Sequence, residues 1–418
     1  MRPTGITDPA ARQRTVAHVY AARALRDFGD GFVAVLLPVY LAAIGLGALE
    51  IGIVATAALL GSATMTLAIG FLGPRLGAWG DQRRLLIAAS ALMIASGLAF
   101  AWSSSYAVVL VVALVGTINP SAGSVSIFMP LEHAVLSRAV ADAERTRMFA
   151  RYSLIGALAA AVGALAAGSP DVLAGAGVSQ PTALRIMFGF YAALGIAGGA
   201  IYACIPPDAT PLEARRAAAL GPSRGIVYKL AALFSIDSFA GGFAVQSLIA
   251  LWLFTRHGLS LSTAGAFFFW SGLVAAFSFP VAAWLSRRIG LVNTMVYTHI
   301  PANVCLILAA VAPSLELALG LLLVRAALSQ MDVPARSSYV MAVVTPPERT
   351  AAASLTSVPR SLAAAAGPAL AGALVAAGHE AWPLAICGAL KIVYDLVLLW
   401  MFRHLKPPEE KAWGARGA

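Results

Sequence analysis

Apolar stretches long enough to cross a lipid bilayer recur along the whole chain. Twelve can be counted, at about 23–45, 50–73, 84–103, 106–128, 150–168, 183–205, 228–254, 262–285, 292–312, 315–341, 354–377 and 382–402. At about 1.5 Å of rise per residue, each helix covers ~30 Å of hydrocarbon. They must be helices, because an unpaired backbone amide in lipid costs several kcal/mol. Composition agrees. The chain is 60% hydrophobic and 11% charged, where a soluble chain carries roughly 25% charged residues, and mean hydropathy is +0.82. That leaves too little polar surface to cover a water-exposed globule, and the recurring long runs exclude one oversized soluble core. The fold class is therefore an all-α membrane protein with twelve transmembrane helices.

The net charge of +10 does not point to nucleic acid: basic residues sit in short clusters between apolar runs, with no interleaved aromatics. Cys204, Cys305 and Cys387 lie far apart in apolar segments and form neither a metal spacing nor a disulfide framework. There is no Gly-Lys pair, hence no P-loop, and no H-E-x-x-H. No cofactor, no metal and no enzymatic activity are expected. No cleavable leader is visible, since the first apolar run is long enough to remain as a span.

Lysines and arginines fix the expected orientation. Arg75, Arg83 and Arg84 fall between spans two and three, Arg138, Arg145 and Arg147 between four and five, Arg215, Arg216 and Arg224 between six and seven, and Arg287 and Arg288 between eight and nine. The opposite loops hold Arg185 and Arg256. The positive-inside rule puts both termini in the cytoplasm. The high alanine, glycine and arginine content suggests a bacterial inner membrane.

The chain also repeats. "PLEHAVLSRAVADAERT" from Pro130 aligns without gaps on "PARSSYVMAVVTPPERT" from Pro334, and Gly163 and Gly168 continue onto Gly367 and Gly372. More loosely, "DGFVAVLLPVYL" in span one faces "GGFAVQSLIALW" in span seven. The expected organisation is a cytoplasmic tail at 1–22, a six-helix bundle at 23–205, a cytoplasmic linker at 206–227, a second six-helix bundle at 228–403 and a cytoplasmic tail at 404–418. Parallel repeats of this kind are a transporter design, with the solute handled near mid-membrane.

With twelve spans, six plus six, and a central linker, the chain resembles the major facilitator superfamily, which implies two pseudo-symmetric six-helix bundles. The family's signature loop matches "GFLGPRLGAWGDQRRLLI" from Gly70. Gly70, Leu72, Arg75 and Gly77 fit, Pro74 stands where the family has aspartate, and Asp81, Arg83 and Arg84 follow. The drug-antiporter Gly-Pro motif is absent from span five, and "GPALAG" lies in span eleven. The resemblance places spans one, four, seven and ten around a cavity.

Ionisable groups within spans need partners or water, since each costs at least ~2.5–3.5 kcal/mol at mid-helix. Asp27 and Asp30 in span one and Asp237 in span seven are the proton-coupling candidates, with an Arg23–Asp27 helix pair as the structural alternative. Arg325 and Asp332 in span ten, Asn119 in span four and Gln246 in span seven are the substrate-binding candidates. Glu132, Arg75, Asp81, Arg83 and Arg84 are the inner-gate candidates, Glu132 being expected to meet Arg83, Arg84 or Arg138. Lys391 and Asp395, four apart in span twelve, are expected to neutralise one another, and His299 to bond a neighbouring helix. Small-residue stripes in spans two, five and eleven (Gly52, Ala55, Ala63; Gly156, Ala160, Gly163; Ala363, Gly367, Ala371) are expected to mark the interface between the halves, with ordinary membrane-helix packing as the alternative.

The expected function is alternating-access transport of a small organic solute, driven by the proton gradient, with export by antiport slightly ahead of symport. A monomer in the bilayer is expected. The alternative is a non-transporting membrane sensor or lipid-handling protein on a transporter scaffold.

Overall fold

The structure, a computed structural model, describes residues 9–72, 81–121, 126–139, 145–206, 220–345 and 348–405. Sixteen helices follow one another. They are α1 (Pro9–Ala43), α2 (Ala48–Leu72), α3 (Gln82–Trp102), α4 (Tyr106–Val115), α5 (Phe128–Ala139), α6 (Arg145–Ala166), α7 (Ser169–Gly175) and α8 (Gln180–Ala203). Then come α9 (Arg224–Gly242), α10 (Gln246–His257), α11 (Leu261–Ile289), α12 (Leu291–Ala310), α13 (Leu315–Ser329), α14 (Asp332–Ala342), α15 (Arg349–Ala376) and α16 (Trp382–Phe402).

Among the described residues ten segments are long and apolar enough to cross a membrane. The charged helix α1 and the divided α4/α5 segment bring the passes to twelve. Trp400 on α16 and Phe277 on α11 stand exposed, large apolar side chains of the kind that lipid accommodates.

Three passes are interrupted. The fourth is non-helical over the described residues 116–121 and 126–127, the seventh breaks between Gly242 and Gln246, and the tenth between Ser329 and Asp332. The sequence reading drew each as one continuous span. Broken helices leave backbone groups unpaired and are tolerated at membrane depth only where protein or water satisfies them. Pro120 sits in the first break, whereas α1, α11, α12 and α15 continue through Pro38, Pro280, Pro301 and Pro368.

The chain divides into two compact units. The first is Met1–Ala214 with Ile249–Phe269, and the second is Arg215–Leu248 with Trp270–Ala418. The segment Ile249–Phe269 joins the first unit, where Ser262 donates its amide and its hydroxyl to Asp171, each at 2.8 Å. In that unit α1 packs on α6 and α8, and α3 on α8. In the second unit α9 packs on α15 and α16, and α12 on α13, α14 and α16.

The internal repeat survives as geometry. Phe128 opens α5 and Asp332 opens α14, 204 residues on (332 − 128). Arg145 and Arg349, with the same separation, open α6 and α15. The first helix of each half is offset by 211 instead (242 − 31). A Cβ on Gly31 would lie 2.1 Å from the Ala160 carbonyl oxygen, and one on Gly242 would lie 2.4 Å from that of Ala364. Only glycine permits backbones this close. The small-residue stripes therefore seat α6 on α1 and α15 on α9, each within its own unit.

Candidate functional site

In the first unit the chemistry gathers on α1 and α5. Arg26, Asp27 and Glu132 are 4%, 1% and 0% exposed. Arg26 Nη1 lies 2.8 Å from Glu132 Oε1, and the Tyr202 hydroxyl donates to the same oxygen at 2.5 Å. The Tyr152 hydroxyl donates to Glu132 Oε2 and accepts from Arg23 Nη1 at 2.9 Å. Arg23 Nε lies 2.7 Å from Asp27 Oδ2, and Arg26 Nη2 lies 3.3 Å from Asp27 Oδ1. The Arg26 guanidinium also covers the Phe128 ring at 4.7 Å. Two cations meet two carboxylates, so the cluster is balanced. Buried charge survives in an apolar interior only when so paired and hydrogen-bonded.

One turn along α1, Asp30 is 1% exposed and is met differently. Its Oδ1 accepts from the Tyr191 hydroxyl at 3.2 Å. Among the described residues no cation comes within ion-pair distance of it. Thr117, in the break of the fourth pass, is the next neighbour of the Tyr191 hydroxyl, with its own hydroxyl at 3.5 Å.

The second unit carries a related cluster. Asp237 of α9 receives Arg336 Nη1 of α14 at 2.9 Å and Lys391 Nζ of α16 at 2.5 Å. The same Arg336 nitrogen lies 3.2 Å from Asp332 Oδ2. Again two cations meet two carboxylates. Beside them Arg360 of α15, half-buried, donates its Nε to the Ser238 hydroxyl at 2.7 Å. His299 Nδ1 stands 3.0 Å from Asp395 Oδ1, as a bond between helices α12 and α16.

Several expectations require correction here. Lys391 does not neutralise Asp395; it reaches Asp237, and Asp395 is taken by His299. Glu132 does not meet Arg83 or Arg84. A carboxylate with no exposure takes the guanidinium buried beside it, Arg26, rather than a cation at the surface. Arg83 donates to the Ala203 carbonyl at 2.7 Å, and Arg84 is exposed. Asp81 caps α3, accepting from the Arg83 amide at 3.2 Å. Arg75 and the Arg138 side chain lie outside the described residues.

Arg325 and Asp332 do not share one helical stripe, because the tenth pass breaks between them. Arg325 is half-buried with its Nε unpartnered, while Asp332 is committed to Arg336. Asn119 is buried in the break of the fourth pass and accepts from the Ser121 amide at 2.9 Å. Gln246 opens α10 just past the break in the seventh. Asp27 pairs with Arg23, as its structural alternative required.

Arg336, Arg360, Tyr152, Tyr191 and Tyr202 were not singled out from sequence. The gapless alignment from Pro130 and Pro334 does place Glu132 on Arg336, and that charge reversal is the signal that could have found the clusters.

Outside the spans, Glu348 precedes α15 and is 4% exposed. It accepts from the Gly221 amide, from the Ser223 hydroxyl at 2.6 Å and from the Thr345 hydroxyl at 2.5 Å. These donors hold its carboxyl down at about 2, the two hydroxyls contributing most.

Residues 19–330 match the family model described as the Major Facilitator Superfamily. The chain belongs to that superfamily. A membrane protein of Saccharomyces cerevisiae described as uncharacterized is 24% identical over 425 residues, spanning 93% of this chain and 94% of its own. A solved D-xylose-proton symporter superposes with TM-score 0.73 at 16% identity, over 97% of this chain and 99% of that one. The nucleoside transporter NupG, in a substituted form, gives TM-score 0.73 at 14% identity, over 93% and 100%. At such identities the superpositions establish the superfamily's fold. Membership makes this a multi-pass membrane protein built as a transporter.

Proposed function

We propose that this superfamily member carries a small organic solute across the membrane by alternating access, coupled to protons through Asp30. The observation that carries the reading is the contrast among its buried acids. Asp27, Glu132, Asp237 and Asp332 each touch a lysine or arginine and Asp395 faces His299, whereas the contact of Asp30, on a first helix, is the Tyr191 hydroxyl. A carboxylate so held can take up and release a proton without breaking an ion pair. Its distance from the Thr117–Asn119 break is one hydrogen-bonded tyrosine, so a change at Asp30 can be felt where the fourth pass is discontinuous.

Asn119, Gln246 and Arg325 are the proposed solute contacts, and proton exchange against solute is the first arrangement to test. The arginine distribution supports a cell-membrane protein with both termini in the cytoplasm. The deciding experiment is reconstitution in proteoliposomes with a pH-sensitive dye, challenged with sugars, nucleosides, organic acids and organic cations. Wild type moves protons with one of these classes. Asp30→Asn loses the proton movement while solute exchange continues. Undiminished proton coupling in Asp30→Asn overturns the assignment.

A further inference from the structure

Arg360 is a half-buried cation with no carboxylate at ion-pair distance among the described residues. Arg360 of α15 corresponds to Gly156 of α6 (360 − 204), and Ser238 of α9 corresponds to Asp27 of α1 (238 − 211). Both offsets are those of the matched close approaches, Gly31 on Ala160 and Gly242 on Ala364.

In the first unit the space above Gly156 is filled. A Cβ there would lie 2.5 Å from Arg23 Nε and 2.4 Å from Asp27 Oδ2. A guanidinium and a carboxylate thus meet over that glycine, 2.7 Å apart. In the second unit a guanidinium is again present beside the first helix, now supplied by Arg360. Its partner has become the Ser238 hydroxyl, at 2.7 Å from Nε. The first half has a guanidinium and a carboxylate here, the second a guanidinium and a hydroxyl.

No neighbouring acid makes up the deficit. Asp237 and Asp332 are engaged by Arg336 and Lys391, and Asp395 meets His299 through Oδ1 while its Oδ2 is buried without a hydrogen-bond partner. Among the described residues no carboxylate reaches ion-pair distance of Arg360. Its Nη atoms, unlike its Nε, carry no protein partner among the described residues. They present the planar fork that matches the geometry of a carboxylate or phosphate. A cation inside a spanning helix without a carboxylate at ion-pair distance is expensive and marks a functional site by default.

We propose that Arg360, supported by the Ser238 hydroxyl, binds the anionic group of the transported solute, an oxyanion of the carboxylate or phosphate type. This rests on the transporter reading and narrows it to organic anions. The solute takes the place that Asp27 fills in the first half.

The test is thermal unfolding of purified full-length protein in detergent, with succinate, benzoate, sn-glycerol 3-phosphate, inorganic phosphate, uridine, D-xylose or phosphatidylglycerol added. At least one soluble anion stabilises wild type, and Arg360→Gln weakens that anion's apparent Kd by tenfold or more. Ser238→Asp restores the missing counter-charge. It unfolds cooperatively, melts at or above the wild-type temperature without ligand, and no longer responds to the anion.

Stabilisation only by uridine or D-xylose, or by no anion at all, overturns the proposal. So does an anion response unchanged in both variants. A response to phosphatidylglycerol alone overturns the assignment to a solute, and a response to inorganic phosphate alone the assignment to an organic one. Proton-coupled flux of a neutral solute that persists in Arg360→Gln removes this inference while leaving the transport reading intact.

Discussion

Glu132 and Arg336 occupy the same position in the two halves of the chain, and their charges are opposite. Each is held by the residue that corresponds across the first helices, Arg26 for Glu132 at 2.8 Å and Asp237 for Arg336 at 2.9 Å. The duplicated fold has kept an ion pair between its first and fourth passes and reversed its sense. Proximity is preserved by backbone geometry, since Gly31 and Gly242 set the same close approach, while the side chains have exchanged roles.

Removing one member of either pair should be costly. Glu132→Gln leaves Arg26 with Asp27, at 3.3 Å, as its one carboxylate among the described residues, and Arg336→Met leaves Asp332 without its cation. The expected loss is ~3–5 kcal/mol for breaking one partner of a buried pair. The reversed double variant Arg26→Glu with Glu132→Arg should recover part of it. Chemical unfolding in detergent micelles measures all three. Wild-type stability in Glu132→Gln would show that the pair is not the anchor described.

Lys391 should couple energetically to Asp237 and not to Asp395. A double-mutant cycle between Asp237→Asn and Lys391→Met is expected to give an interaction of about 0.5–3 kcal/mol, the range for residues in one ionic network. The corresponding cycle between Asp395→Asn and Lys391→Met should be clearly smaller. Equal couplings would contradict the 2.5 Å contact.

Gly31→Ala and Gly242→Ala should each destabilise by roughly 1–3 kcal/mol, because the new methyl meets a backbone carbonyl that cannot rotate away. Gly189 sits in α8 with nothing within 4 Å of its missing Cβ. Gly189→Ala should therefore be neutral or stabilising by up to ~1 kcal/mol from helix propensity. Melting temperatures of the three variants make the comparison, and equal behaviour of all three would refute the close approach.

The Glu348 contacts predict a pH dependence with a definite sign. Its carboxyl titrates at about 2 in the fold, below its ordinary value near ~4.3. The stabilisation is complete above that ordinary value and declines as pH falls from there toward about 2. Glu348→Gln should lower the melting temperature at pH 7, and the gap to wild type should narrow steadily below about pH 4.3. A gap that is constant from pH 7 to pH 3 would show that ionisation of this group is not involved.

Much of the fold was legible because bilayer thickness imposes itself on sequence. The lengths of the apolar runs gave twelve passes, and the alignment from Pro130 and Pro334 matched the helix starts at Phe128 and Asp332. The breaks were not legible. The residues 243–245 and 330–331 are as ordinary in composition as their surroundings, and helix interruption there depends on what the freed backbone meets in three dimensions. Among the acids, Asp27, Asp30 and Asp237 could be named from their apolar context alone. Their partners could not, because Arg26 with Glu132 and Asp237 with Lys391 are joined across 106 and 154 residues of chain. The tyrosine hydroxyls on Glu132 were hidden for another reason: a tyrosine in an apolar run reads as bulk until a buried acceptor gives its oxygen a purpose.

The third contact of Asp237 bears on how such a reversal could arise by single steps. Swapping a buried acid and base one at a time passes through a chain holding two like charges in contact, an arrangement too unstable to persist. A lysine already standing on the last helix relaxes that constraint. With Lys391 in place, an aspartate could be installed at 237 while its later partner at 336 was still acidic or neutral. Ancestral reconstruction should then find the lysine older than the arginine, making Lys391 the permissive substitution that let the two halves of one duplicated gene part company.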